Sequence, residues 1–316
     1  MFITPPSTPM RAVALSVALV AVSGCSLKKM AVNSVAGILS EGGGTTFSSD
    51  EDPQLVREAA PFSLKLYETL LESVPENQGL LRATCSLFTQ YAYAFVQLDA
   101  EKLEATDFSE SMATSERALK LYLRGHGYCM RALELRHEGV GQSLMLDPDN
   151  ALTWAREDDV ELLYWTGSAW GSAVSIGQGK PALVADMPAV KALMARALVL
   201  DEDYGNGAIH AALISLEALP EAMGGSEERA RQHFERALEL SDGLDPGPYV
   251  TLAASISVAN QNRAEFEQLL DQALAIDPED NPAMRLPTII AQDRARDLLA
   301  RIDDLFLEAP SRRRLQ

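Results

Sequence analysis

The sequence predicts an all-α protein, a right-handed solenoid or bundle of helical hairpins. Three observations carry that prediction. From Pro53 onward, apolar residues recur with the 3.6-residue period of amphipathic helices, and alternating strand patterns are close to absent. The hexads "RALVLD" (196–201), "RALELS" (236–241) and "QALAID" (272–277) each close a helical pattern, with Leu198, Leu238 and Leu274 spaced 40 and 36 residues apart. Helical patterns also stop at "MLDPDN" (145–150) and "DPEDNPA" (277–283), where proline cannot continue a helix.

A unit of about 34 residues with Ala-Leu near the end of its second helix, then Asp-Pro, describes the tetratricopeptide repeat. Small alanines would let paired helices approach, and the leucines would fill the core they share. The irregular spacing makes these degenerate units with insertions. "RALKLY" (117–122) and "RALELR" (131–136) echo the hexad inside one helical stretch.

In chain order, residues 1–24 read as a secretory signal. Arg11 precedes a short apolar run, "AVALSVALVAV", too short to span a bilayer as a helix. Val22-Ser23-Gly24-Cys25 is similar to a bacterial lipobox, which makes Cys25 the acylated first residue of the mature chain. Ser26 in place of an aspartate after it favours the outer over the inner membrane. Residues 25–52, with "SEGGGTTFSSDED", read as the acylated N-terminus and a flexible linker. Helices follow at about 53–73, 77–104, 108–137, 156–177, 188–200, 205–218, 226–241, 247–260, 262–276 and 287–307, as one helical domain over 53–307. Residues 308–316 read as a frayed tail.

The charge excludes some partners. The full chain carries a formal charge of −18. Without residues 1–24 it keeps 26 Lys+Arg against 45 Asp+Glu, or −19. Such a body is a poor nucleic-acid binder, and anionic lipid would repel it, so the tether holds it at the membrane. No Cys/His cluster has metal-ligand spacing, and no cofactor motif is present. Cys85 and Cys129 sit in helical patterns among apolar neighbours, which favours two free buried thiols, although an oxidising periplasm would permit a disulfide.

The segment "LLYWTGSAWGSAVSIGQGK" (162–180) differs from the rest. It is not a phosphate-binding loop, because Val174 stands where the first glycine is needed and Pro181 follows Lys180. On a helix, Trp165, Ala169, Ser172 and Ile176 share one face; Leu163, Gly167, Trp170, Gly171 and Val174 share nearly the opposite one. Tyr164, Ser168 and Ser175 fall between. Such a helix is buried on two sides, and Gly167 and Gly171 mark close approach by a neighbouring helix or by a ligand. The aromatic residues could border a cleft. Tyr122, Arg124 and Tyr128 of "YLRGHGY" join the candidate set, with Arg124 suited to a carboxylate. His126 reads as an interhelical hydrogen bonder and His210 as a satisfied core histidine.

"LLYWTGSAWGSAVSIGQ" (162–178), "LYLRGHGYCMRALELRHEG" (121–139) and the long stretch over 183–241, together with the lipobox, resemble the TatT family of tetratricopeptide lipoproteins associated with TRAP transporters. The resemblance covers about residues 50–307. It implies an all-helical periplasmic protein that partners a solute-binding protein and carries a pore or cleft through the protomer. Homotrimers occur within that family. It supplies no catalytic residues. The function expected is therefore a non-enzymatic, lipid-anchored accessory of TRAP-type solute uptake. The alternative is a tetratricopeptide adaptor in outer-membrane assembly or secretion that binds proteins only. The paired acids of "REDDVE" (156–161) and "LDED" (200–203) sit at helix starts and turns, where the helix dipole favours them without any catalytic role.

Overall fold

A computed structural model describes residues 32–34, 37 and 46–307. The predicted signal sequence over 1–24, Cys25 and residues 308–316 lie outside the described residues. Among the described residues the protein is helical, with no strand. Helix α1 spans Pro53–Ser73, opened by the Asp52 carboxylate, which accepts from the Gln54 and Leu55 backbone N–H groups at 3.0 and 3.1 Å. Its buried residues Val56, Ala60, Leu64, Tyr67 and Leu71 form one stripe. Helix α2, Gln78–Ala92, continues through a π-helical turn, Tyr93–Gln97, into α3, Leu98–Leu103. Helix α4, Phe108–Arg136, packs against α2 on one side. A short helix α5, Val140–Leu146, follows; the periodicity does not delimit it. Helix α6, Val160–Ile176, lies between α4 and α8, Met187–Leu200, with a single turn α7, Pro181–Val184, in the connection.

The second half pairs α9, Ala208–Glu217, with α10, Glu227–Leu240, and α11, Gly247–Leu252, with α12, Arg263–Ala275. A second π turn, Ala253–Ser257, extends α11. The predicted helix over 287–307 is two, α13, Arg285–Ala300, and α14, Ile302–Leu305, because the chain leaves helical geometry at Arg301.

The repeat hexads occupy equivalent places, but the expectation for their leucines needs correction. In these three hexads the fully buried member is the alanine, Ala197, Ala237 and Ala273, whereas in the two echoes inside α4 both residues of Ala118-Leu119 and Ala132-Leu133 are buried. Leu198, Leu238 and Leu274 are partly buried, with Leu198 and Leu274 packed against the core from its edge. The small residue sits where backbones meet. Gly207, at φ +92°, shows why: a Cβ there would lie 3.3 Å from the Ala237 Cα and carbonyl oxygen.

The expectation of two free thiols is also corrected. Cys85 of α2 and Cys129 of α4 form a disulfide, with Cα atoms 5.5 Å apart. Both residues are fully buried, so burial alone did not separate a thiol from a bridge. What decides it is the close approach of α2 and α4 at Gly125, where a Cβ would stand 3.1 Å from the Phe88 Cβ and 3.2 Å from the Cys85 carbonyl oxygen.

The solenoid closes on itself. Leu286 of α13 joins the apolar cluster of Val56, Ala60, Phe88 and Tyr122. Polar contacts flank this seam: Arg294 to Glu101 at 3.0 Å, Lys102 to Asp297 at 2.7 Å, and Arg285 Nη1 donating to the Ser49 carbonyl at 3.0 Å.

Candidate functional site

Helix α6 is the central wall of this arrangement. No residue from Asp159 to Gly177 is exposed, yet Tyr164, Trp165, Ser168, Ser172, Ser175 and Ile176 keep partial access. These positions fall along one side of the helix. The opposite side is filled by protein. At Gly167 a Cβ would meet Met194 atoms at 3.0–3.2 Å, and at Gly171 it would meet Val190 Cγ1 at 3.2 Å and Leu216 Cδ2 at 3.4 Å. The close neighbours at both glycines are thus side chains of α8 and α9.

The two indoles part company. Trp170 is buried on the packed side; its Nε1 donates to Asp186 Oδ2 at 3.1 Å and its ring lies 4.4 Å from that of His126. His126 makes that ring contact in place of the expected hydrogen bond: its buried Nε2 has no partner, and burial pushes its pKa down to about 4. Trp165 is on the partly open side, in an aromatic group with Tyr164 at 5.0 Å; Tyr164 in turn lies 5.2 Å from Tyr204. Burial raises the pKa of both phenols. Ser168 stands beside Tyr164, but no group meets its buried Oγ with hydrogen-bond geometry. Asp245, in the loop before α11, adds a carboxyl that burial pushes up, against the Gly247 N–H that donates to it at 2.8 Å.

Tyr122 is fully buried and belongs to a second polar group further along. Its hydroxyl donates to Gln97 Oε1 at 2.7 Å. Burial holds the phenol well above its ordinary pKa, with Ser172 opposing the shift. Gln97 and Tyr93 both come from the π turn, and Arg294 reaches Tyr93 Oη at 3.3 Å while pairing with Glu101. Burial works against the Arg294 charge, but Glu101 and Tyr93 outweigh it and raise its pKa.

Arg124 and Tyr128 stand elsewhere. Both meet Glu68 of α1: Arg124 as an ion pair at 2.5 Å, and Tyr128 by donating its hydroxyl at 2.8 Å. Arg124 also lies 5.3 Å over the Phe88 ring. The candidate residues therefore divide into an aromatic wall (Tyr164, Trp165), packing positions (Gly167, Trp170, Gly171), a buried polar link (Tyr122) and two partners of the half-buried Glu68, Arg124 by an ion pair and Tyr128 by a hydrogen bond. Tyr204, Asp245, Tyr93 and Arg294 were not nominated. They come from other hairpins, and no local pattern joins them to α6. His210 is satisfied as expected: its Nδ1 lies 2.8 Å from His233 Nδ1, and its Nε2 3.3 Å from Glu202. Among the described residues no group of three or more His, Cys, Asp and Glu side chains could hold a metal ion.

The model of the family described as TRAP transporter T-component matches residues 49–306, from the edge of α1 to α14. The chain belongs to the TRAP transporter T-component family. The chain is also similar to an uncharacterized protein of Treponema pallidum (strain Nichols), 34% identical over 304 residues that cover 90% of this chain and 94% of the relative. The match includes α6 and both polar groups beside it, so the wall lies within the family's own domain. Among the described residues no helix of the T-component is long and apolar enough to cross a membrane.

Proposed function

We propose that this T-component is a non-enzymatic periplasmic lipoprotein that serves TRAP-type solute uptake. Acylation of Cys25 ties it to the membrane, and Ser26 after the cysteine favours the outer membrane. Its solenoid, built from degenerate tetratricopeptide-like hairpins, binds an extracytoplasmic solute-binding protein. The observation that carries this reading is the family match over 49–306, which spans the whole helical body.

The partly open side of α6 holds a small ligand. Trp165, Tyr164 and Tyr204 offer aromatic faces, and Ser168 and Asp245 offer hydrogen-bonding groups. Arg124 is already engaged by Glu68, so it supplies no free cation for a carboxylate. The wall therefore suits a ligand that is mostly apolar and hydrogen-bonding rather than one recognised by charge. Native mass spectrometry of protein purified without stripping small molecules tests this. A bound mass that is lost in Trp165→Ala and Tyr204→Ala is expected; an unladen protein in every preparation would sink the ligand half of the proposal.

A further inference from the structure

The N-terminal segment fixes where the membrane anchor leaves the body. Val32 packs against the apolar cluster that contains Val74, Leu80 and Val140. Beside it Asn77 Nδ2 donates to Asn33 Oδ1 at 2.9 Å. The chain thus departs next to the turn between α1 and α2. Six residues separate Val32 from Cys25, so seven Cα–Cα steps join them. Fully extended, they reach at most about 25 Å. The 29-residue α4 is roughly 43 Å long at 1.5 Å per residue. A lipid on Cys25 therefore cannot let the molecule stand on the far end of α4.

Side-chain contacts define the end that must stay near the bilayer. Arg131 Nη2 donates to the Pro75 carbonyl at 2.9 Å, which brings the C-terminal end of α4 to the α1–α2 turn. Arg136 pairs with Asp159 at 2.7 Å, which adds the start of α6, and Arg196 donates to the Ala155 carbonyl, which adds the end of α8. This end exposes large apolar side chains: Met145 at 52%, Leu146 at 75% and Val199 at 76%. Leu146 closes α5 and Val199 lies in the last turn of α8.

We propose that this end, with Met145, Leu146 and Val199, faces and touches the bilayer to which Cys25 is tied. The proposal rests on the lipid-anchor reading above. Glu138, Asp147 and Asp149 are exposed at the same end, so the contact is apolar and does not require anionic lipid. The opposite end, where α4 begins with the exposed Phe108 and Met112, points into the periplasm.

The test uses the acylated full chain reconstituted in phosphatidylcholine vesicles. Benzoylphenylalanine replaces Leu146, Val199, Phe108 or Met112 in separate variants, and lipid adducts are counted after irradiation. At least about tenfold more adduct at 146 and 199 than at 108 and 112 is expected, since only a side chain at the acyl boundary meets lipid chains. Equal labelling at the two ends, or more at 108 and 112, overturns the orientation while leaving the anchor intact. A full chain that does not stay with the vesicles overturns the anchor and the orientation together.

Discussion

Met194 lies across Gly167, its Cε 3.0 Å from where a Cβ on the glycine would stand. The glycine costs α6 helix propensity, roughly 1 kcal/mol against alanine. In return α8 comes close enough for Met194 to fill the gap. Because the methionine is flexible, Gly167→Ala should change stability by less than about 1 kcal/mol in either direction. Gly167→Val should cost about 2–3 kcal/mol by overpacking, and Met194→Ala should recover part of that loss. Urea denaturation of the single and double variants checks the coupling.

The Cys85–Cys129 bridge closes a loop of 44 residues' separation. The chain-entropy relation gives a stabilisation of about 4 kcal/mol for such a loop. Cys85→Ala with Cys129→Ala should lower stability by about 2–4 kcal/mol, and non-reducing peptide mapping of the native protein should recover residues 85 and 129 in one cross-linked fragment.

Acid should weaken the fold through His126. Its folded pKa, about 4, lies below the unfolded value near 6.5, so the unfolded chain binds the extra proton. Stability is then full above pH 6.5 and falls as the pH drops toward 4, by about 3 kcal/mol for this residue at 1.36 kcal/mol per unit. Burial also lowers the pKa of His210 and His233, which add to the same trend. His126→Phe keeps a ring against Trp170 and should reduce the pH dependence between 6.5 and 4, leaving the share of His210 and His233, as followed by thermal melts.

The seam between α13 and the first hairpin depends on Arg294. Its pair with Glu101 is mostly shielded, so Arg294→Ala removes the cation from Glu101, which keeps the Gln97 Nε2 donor at 3.2 Å, and the contact from Tyr93 Oη. A loss of about 3 kcal/mol is expected. Hydrogen exchange should rise over 93–104 and 285–300 and stay unchanged over 227–240, since the latter pairs with α9 and α11 and not with the seam. Uniform loosening of all helices would contradict that division.

Much of the architecture was legible because helix period and stops are local signals. The pattern over 53–73 matches Pro53–Ser73, and Ser226 caps α10 by accepting from the Arg229 N–H, as the "GGSEE" string suggests. Long-range facts were not local. The sequence does not show that α2 and α4 bring Cys85 and Cys129 together. Nor does it show that a π turn carries Tyr93 and Gln97 to Arg294 and Tyr122, more than twenty residues away. For the wall, the wheel correctly set Trp165 and Trp170 on different sides of α6. It could not tell which side a second helix would cover; Met194 and Val190 decide that. Arg124 looked suited to an anion because Glu68, which neutralises it, lies 56 residues earlier.

In the proposed function the protein works with a solute-binding protein. The most direct measurement is cross-linked affinity capture of the acylated full chain from the envelope of its native cell, read by mass spectrometry. An extracytoplasmic solute-binding protein of a TRAP system should be recovered. Recovery of outer-membrane assembly or secretion components, with no solute-binding protein under any condition, would contradict it.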